Sequence, residues 1–335
     1  MRWVQSLLVL LAGACLLPVS ACMAGTRVRV INIKGTDFLE MRDAARHYGL
    51  SGRMSATSCD LKGGGHVLHF ERDKREAKID GVSVHLSNSP VVWQDGIVLG
   101  ESDVRLGLDP ILRPATVPRG VVRRIMLDPG HGGKDQGTSG RQYAERNLCL
   151  RIAKKMADDL RQAGYEVYMT RTTNTTTLEL EQRIVYAARN KCDLFVSLHM
   201  NSASNRLVNG VETFLVAPNG TASTYDSRVW RGTKRGTQFD LANIRLAYDL
   251  HRSLLLATGA KDRGIKHANF LVLRDAPCPA ILVEVGFLSN GGEELRLGTP
   301  AYQDKAAQGL TKGIVEYAKN IAPATGTPVV MEKRK

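Results

Sequence analysis

Residues 123–321 predict an α/β fold, a mainly parallel (mixed) sheet flanked by helices on both faces, preceded by a small α+β accessory domain. Three observations carry this. Short apolar runs alternate with helical-period segments along 123–321, the pattern that buries a parallel sheet between helices. Residues 27–112 carry period-2 runs divided by Gly, Asn and Asp instead. Between the two, "RPATVPRGVVRR" holds two prolines and a basic end, so 113–122 reads as a linker.

The first element is a targeting segment. Arg2 precedes "WVQSLLVLLAGACLLPV", and the small residues "SACMAG" follow, the grammar of a secretory signal over residues 1–21. The apolar run is too short for a comfortable membrane span. Val19-Ser20-Ala21-Cys22 resembles a bacterial lipobox, which would make Cys22 a lipidated first residue and anchor the chain to a membrane. The alternative is ordinary cleavage after Ala21 or Ala24. Either way the mature protein is exported to the periplasm or cell envelope. Cys59, Cys149, Cys192 and Cys278 remain there without CxxC pairing, and buried free thiols are expected.

The accessory domain reads as strands in "TRVRVINI", "GHVLHFE", "REAKIDGVSVHL" and "VVWQDGIVLG", with one helix over Leu39–Tyr48 stopped by Gly49. Its histidines, His47, His66, His69 and His85, have no matching carboxylates in the sequence pattern. Further on, Arg124–Leu127 is a strand, and Leu148, Ile152, Met156 and Leu160 place a helix over Glu145–Gln162. "YEVYMT" is a strand, and Thr176-x-x-Glu179 can form a capping box for a helix reaching Asn190. "DLFVSLH", "GVETFLV" and "AILVEV" are buried-type strands. Leu241–Ala257 and Tyr302–Ile321 are helices, and 322–335 reads as a disordered tail.

A formal net charge of +13 favours an anionic partner such as nucleic acid, a membrane surface or an acidic polymer, without choosing among them. No zinc-finger pattern, RNP motif or basic–aromatic cluster supports nucleic acid.

Ligands of open α/β sheets bind beyond the carboxyl ends of the strands. His131 follows the first strand of the second domain, His199 follows "DLFVSL", Glu284 lies in "ILVEVGF", and Glu145 opens the first long helix. Alone, each has a plainer role: a surface histidine, a helix-start carboxylate, or a buried salt bridge for Glu284. Together, two histidines and two glutamates on one rim are the inventory of a catalytic zinc, with N/O ligands and a nearby carboxylate base. His251 sits mid-helix, and His267 is placed in a loop near the site, as a substrate-side candidate.

"LDPGHGGKDQGTSG…AERNLCLRIAKKMADDL", "LFVSLHMNS…NGVETF" and "RGIKHANFLVLRDAPCPAILVEVGFLSN" resemble the zinc-dependent N-acetylmuramoyl-L-alanine amidase family (amidase 3 catalytic domain) over about 123–321. The resemblance implies Zn2+ held by His131, Glu145 and His199, with Glu284 as catalytic glutamate. It implies peptidoglycan glycan strands and stem peptides as substrate, and leaves room for a protein activator. The departures are Gln136 where the family often has proline, Met200 where a small residue is common, and Asn174 where aspartate is usual. Residues 219–240, where some relatives carry an inhibitory insertion, are short and polar. "FLEMRDAARHYGL" and "GIVLGESDVRLGL" look like the copper amine oxidase N-terminal-like domain of exported bacterial proteins. That implies a wall-associated or protein-binding module, not copper chemistry.

Overall fold

The computed structural model describes residues 21–23, 26–94, 96–230 and 232–323. Nearly all of the export segment and the tail from residue 324 therefore lie outside the described residues. Cys22 falls in a short strand, Ala21–Met23, paired with Thr26–Val28.

One long sheet runs through residues 27–112 and 123–321 alike. Its strands in chain order are β1 (Ser51–Met54), β2 (Ser58–Gly63), β3 (His66–Glu71), β4 (Glu76–Ile79), β5 (Val82–His85), β6 (Arg124–Pro129), β7 (Glu166–Met169), β8 (Leu194–Asn201), β9 (Val211–Val216), β10 (Asp262–Ala268) and β11 (Ala280–Phe287). The spatial order is β7-β6-β8-β11-β9-β10-β5-β4-β3-β2-β1. Pairing is parallel from β7 through β11, antiparallel between β11 and β9, then parallel again from β9 through β10 to β5. The sheet is thus mixed, as the sequence predicts.

The helices are α1 (Met41–His47), α2 (Glu145–Gln162), α3 (Leu180–Arg189), α4 (Asp240–Thr258), α5 (Leu271–Arg274), α6 (Gly291–Gly298) and α7 (Pro300–Ile321). Strand alternation sorts the core. Ile125, Leu127, Val196 and Val283 pack with α2, α4 and α7 residues such as Ile152, Leu250 and Leu310 on one face. Met126, Phe195, Phe214 and Leu282 pack with Ile184 of α3 and Val272 of α5 on the other. The central strands β6, β8, β9 and β11 are buried on both faces, which is why these runs are nearly continuously apolar.

Residues 27–112 are joined to 123–321 more closely than a linker reading suggests. Ile265 of β10 pairs with Val84 of β5, Ser83 N donates to Asp262 Oδ2 at 2.7 Å, and Tyr248 of α4 donates to Asp80 at 2.7 Å. The 113–122 segment is pinned along α7: Arg119 donates to Asn320 O and Ala322 O, and Gly120 N to Ile321 O.

Three sequence readings need correction. The α3 capping box is formed by Glu179 and Gln182, not by Thr176 and Glu179, because the helix starts one turn later. Two of the four histidines of residues 27–112 do have carboxylate partners within hydrogen-bonding distance. His69 lies 2.6 Å from Asp60 and His66 lies 2.8 Å from Asp80, since the antiparallel register sets Asp60 opposite His69. His267 sits in β10 rather than in a loop, and it is buried. Period-2 alternation points it away from the face that carries Lys266, toward a small cavity with His85 and Asp103. His251 is buried too, bonded to Asp262 and Thr213. All four cysteines named above are free and buried, as expected.

Candidate metal centre and active site

The rim at the carboxyl ends of β6, β8 and β11 is built from the chain turning sharply after each strand. After Pro129, His131 takes a left-handed backbone conformation (φ 63°), a strained state for a non-glycine residue that persists only where surroundings enforce it. Two buried arginines enforce it. Arg171 Nε donates to Pro129 O at 2.9 Å, and its Nη2 to Gly130 O and Arg146 O at 2.7 Å each. Arg183 of α3 donates to His131 O at 2.9 Å and pairs with buried Asp128 at 2.7 Å. Thr170 and Ser197 supply further donors to Asp128, at 2.6 and 2.8 Å. Burial opposes the Asp128 charge, but Arg183 and these hydrogen bonds outweigh it and hold the carboxyl below its ordinary range.

The loop then delivers His131 to Glu145, the first residue of α2. Glu145 Oε1 lies 3.0 Å from His131 Nε2 and 2.9 Å from His199 Nδ1. The two imidazoles stand edge to face, with centroids 4.9 Å apart. The ligand atoms of His131, Glu145 and His199 all fall within 4.8 Å of one another. Burial alone would raise the Glu145 pKa; the two histidines reverse this and bring it to about 2. Burial likewise opposes charge on His131, yet Glu145 and Asp135 raise its pKa. The Asp135 carboxylate meets His131 Nδ1 at 2.7 Å, the outer-shell contact that fixes ring orientation in metal-ligating histidines. Glu145 Oε2 accepts from Thr138 N at 2.8 Å, so the carboxylate is held at both oxygens.

Glu284 is directly across from His199 in the β8–β11 register. Its Oε2 is buried and has no hydrogen-bond partner. Burial first, then the charges of Glu145 and Glu212, push its carboxyl well above the ordinary range. His131, His199 and Glu284 open on one cleft of about 390 Å³, lined also by Asp135, Thr177, Leu180, Phe270 and Leu282. No described residue of 219–240 lines it.

Close packing makes two glycines necessary. A Cβ on Gly130 would run into the His199 ring, and one on Gly137 (φ +64°) into both Glu145 Oε2 and His131 Cδ2. We expect Gly137→Ala to weaken metal binding by about 10- to 100-fold, the usual cost of disturbing a ligand's immediate support. A chelator-competition titration measures this, and wild-type affinity would show that the Glu145–His131 spacing tolerates the methyl group.

All four sequence-predicted residues meet at this rim. Sequence reading missed Asp128, Arg171, Arg183 and Asp135. Asp128 sat in view inside the "LDPGHGG" run. Nothing in the spacing of Arg171 or Arg183, however, shows that they converge on carbonyls of the His131 loop.

Residues 125–316 match the family model of N-acetylmuramoyl-L-alanine amidase (Amidase_3). N-acetylmuramoyl-L-alanine amidase LytC of Bacillus subtilis is 34% identical over 194 residues, which is 58% of this chain and 35% of LytC. An uncharacterized protein of the same organism, YqiI, is 30% identical over 227 residues, 68% of this chain and 98% of YqiI. Among solved structures, the catalytic domain of the amidase CwlV from Bacillus (Paenibacillus) polymyxa var. colistinus superimposes with a TM-score of 0.50 at 36% identity, covering 59% of this chain and 98% of that one. Since the family model spans more than half of the chain and includes the whole rim, the chain belongs to the N-acetylmuramoyl-L-alanine amidase family of enzymes.

Proposed function

We propose that the chain is a zinc-dependent enzyme that hydrolyses the amide between the lactyl group of N-acetylmuramic acid and the L-alanine of peptidoglycan stem peptides. The single observation that carries the mechanism is the buried, unpartnered Oε2 of Glu284 beside the His131–Glu145–His199 cluster. An orphaned buried carboxylate costs stability, and its place across from a ligand histidine gives it a chemical use.

The donor set fits zinc: two imidazole nitrogens and one carboxylate oxygen, with Asp135 behind His131. When bound, zinc supplies Lewis acidity that acidifies water and polarises a carbonyl oxygen. The chain's own groups do the rest. Glu284 takes a proton from the attacking water and returns it to the departing alanine nitrogen. The apolar wall of Leu180, Phe270 and Leu282 limits competing water around that carboxylate. Asp135 and Glu145 hold His131 in one orientation.

Digestion of purified peptidoglycan tests the reading. Mass analysis should find intact stem peptides beginning at L-alanine, absent after chelation and restored by zinc. Fragments cut inside the stem would make the chain a stem peptidase; no products with zinc bound would make it a binding protein. His131→Ala should lose stoichiometric metal by elemental analysis, and retained metal would refute its ligand role.

The same reading places the enzyme outside the cytoplasm, anchored through Cys22, with residues 27–112 as an accessory module. Radiolabelled palmitate that fails to mark Cys22 would overturn the anchor. Among the described residues, no helix is long and apolar enough to cross a membrane.

A further inference from the structure

On the β9–β10 side of Glu284 the cleft wall continues into a row of aromatic rings. Phe270 lines the cleft and is 42% exposed. Its ring meets Phe214 at 5.4 Å between centroids, and Phe214 meets Tyr225 at 6.4 Å. Tyr225 leaves 67% of its surface to solvent, yet it is tied down. Its hydroxyl donates to Glu212 Oε1 at 3.2 Å and accepts from Lys266, whose ammonium lies 4.7 Å from the ring centroid.

That tether leads back to the catalytic carboxylate. Glu212 is the cross-strand partner of Glu284. It is held by Lys266 at 2.5 Å, Arg263 at 2.8 Å and Asn201 at 2.9 Å. The segment bearing Tyr225 is also stitched to β10: Thr224 N donates to His267 O, and His267 N to Thr224 Oγ1. Lys234 closes the segment's far end on the carbonyls of Ala217 and Pro218. An exposed aromatic ring is therefore held at a fixed place, bonded to the residue that pairs across the sheet with Glu284. An immobilised side chain loses rotamer freedom on folding, not on binding, which makes it an economical contact for a ligand.

We propose that Tyr225 and Phe270 form the seat for the sugar rings of the glycan strand, next to the muramic acid whose amide is cut. This rests on the amidase reading of the cleft. The scissile amide is a branch point, with sugars continuing to one side and the stem peptide to the other. A pyranose presents a face of C–H groups that matches a flat aromatic ring. A peptide backbone needs hydrogen-bonding partners instead, and the cleft's polar wall of Asp135, Thr177 and Glu179 provides these. The aromatic row suits the glycan and the polar wall the peptide.

Peptide-free glycan strands of alternating N-acetylglucosamine and N-acetylmuramic acid test this by calorimetric titration of the full chain. Tyr225→Ala should weaken binding about 3- to 10-fold, the range for a single aromatic contact. Phe270→Ala, on a different element, should give a similar loss. Tyr225→Phe, which keeps the stacking face but loses the hydroxyl tether to Glu212 and Lys266, should bind more tightly than Tyr225→Ala and no more tightly than wild type. Thermal melting of each variant checks folding. Equal binding by wild type and both alanine variants overturns the proposal, as does a wild type that cleaves sacculi but ignores bare glycan. Failure of the amidase reading shows separately, as wild-type protein that binds glycan yet releases no stem peptides.

Discussion

Glu284→Gln should keep its metal and its fold but lose activity by about 100- to 10,000-fold, the usual share of a positioned general acid–base. The substitution preserves shape and removes only the ionisable oxygen. No atom of Glu284 belongs to the three-ligand cluster, so zinc stoichiometry should be unchanged. Thermal stability should hold or rise, because the wild-type carboxylate is buried, partnerless at Oε2, and repelled by Glu145 and Glu212. The raised carboxyl pKa comes from burial first and from those charges second; a cation at the neighbouring cluster pulls it back toward neutrality. The acidic limb of the wild-type pH–rate profile should therefore belong to Glu284. Peptidoglycan digestion with metal-replete variant decides the matter: substantial turnover would remove Glu284 as the base.

Arg183→Met should destabilise the chain by about 3–5 kcal/mol, the cost of stranding one member of a buried ion pair. Asp128 would be left as a buried charge, with Thr170 and Ser197 as its remaining side-chain donors. The carbonyl of His131 would lose its guanidinium donor in the same stroke. Metal occupancy should then fall together with stability, although Arg183 is not a ligand. Denaturant unfolding and elemental analysis measure the two effects. Adding Asp128→Asn should recover part of the stability loss, since the stranded charge is gone. Asp128's folded pKa lies below the unfolded carboxylate value, so its stabilisation is present at neutral pH and is lost as pH falls through the folded pKa. In Arg183→Met this acid dependence should shift to higher pH. Unchanged stability with full zinc occupancy would mean that the loop keeps the strained His131 conformation without its brace.

The large elements were legible because their hydrophobic periods are long and unambiguous. Helix α2 begins at Glu145 and ends at Gln162 as its four-residue apolar spacing requires. What was missed lay in short or mixed-polarity stretches. Strand β10, "DRGIKHA", carries charges that pair inside the sheet with Glu212, so its sequence looks like a loop. Its parallel pairing with β5 is equally invisible, because register between distant segments depends on packing and not on local propensity.

The site divides in the same way. By itself the sequence determined which residue types stand at strand ends and helix starts, and hence that His131, Glu145, His199 and Glu284 share one rim. Only the tertiary structure decided how they are held. The left-handed turn at His131, the arginines on its flanking carbonyls, the glycines with no room for a methyl group and the Glu212–Lys266–Tyr225 tether all depend on contacts between segments far apart in the chain. Local propensity places a residue on an element; a ligand atom's position to within an ångström is set by side chains arriving from other elements, whose directions no sequence spacing encodes.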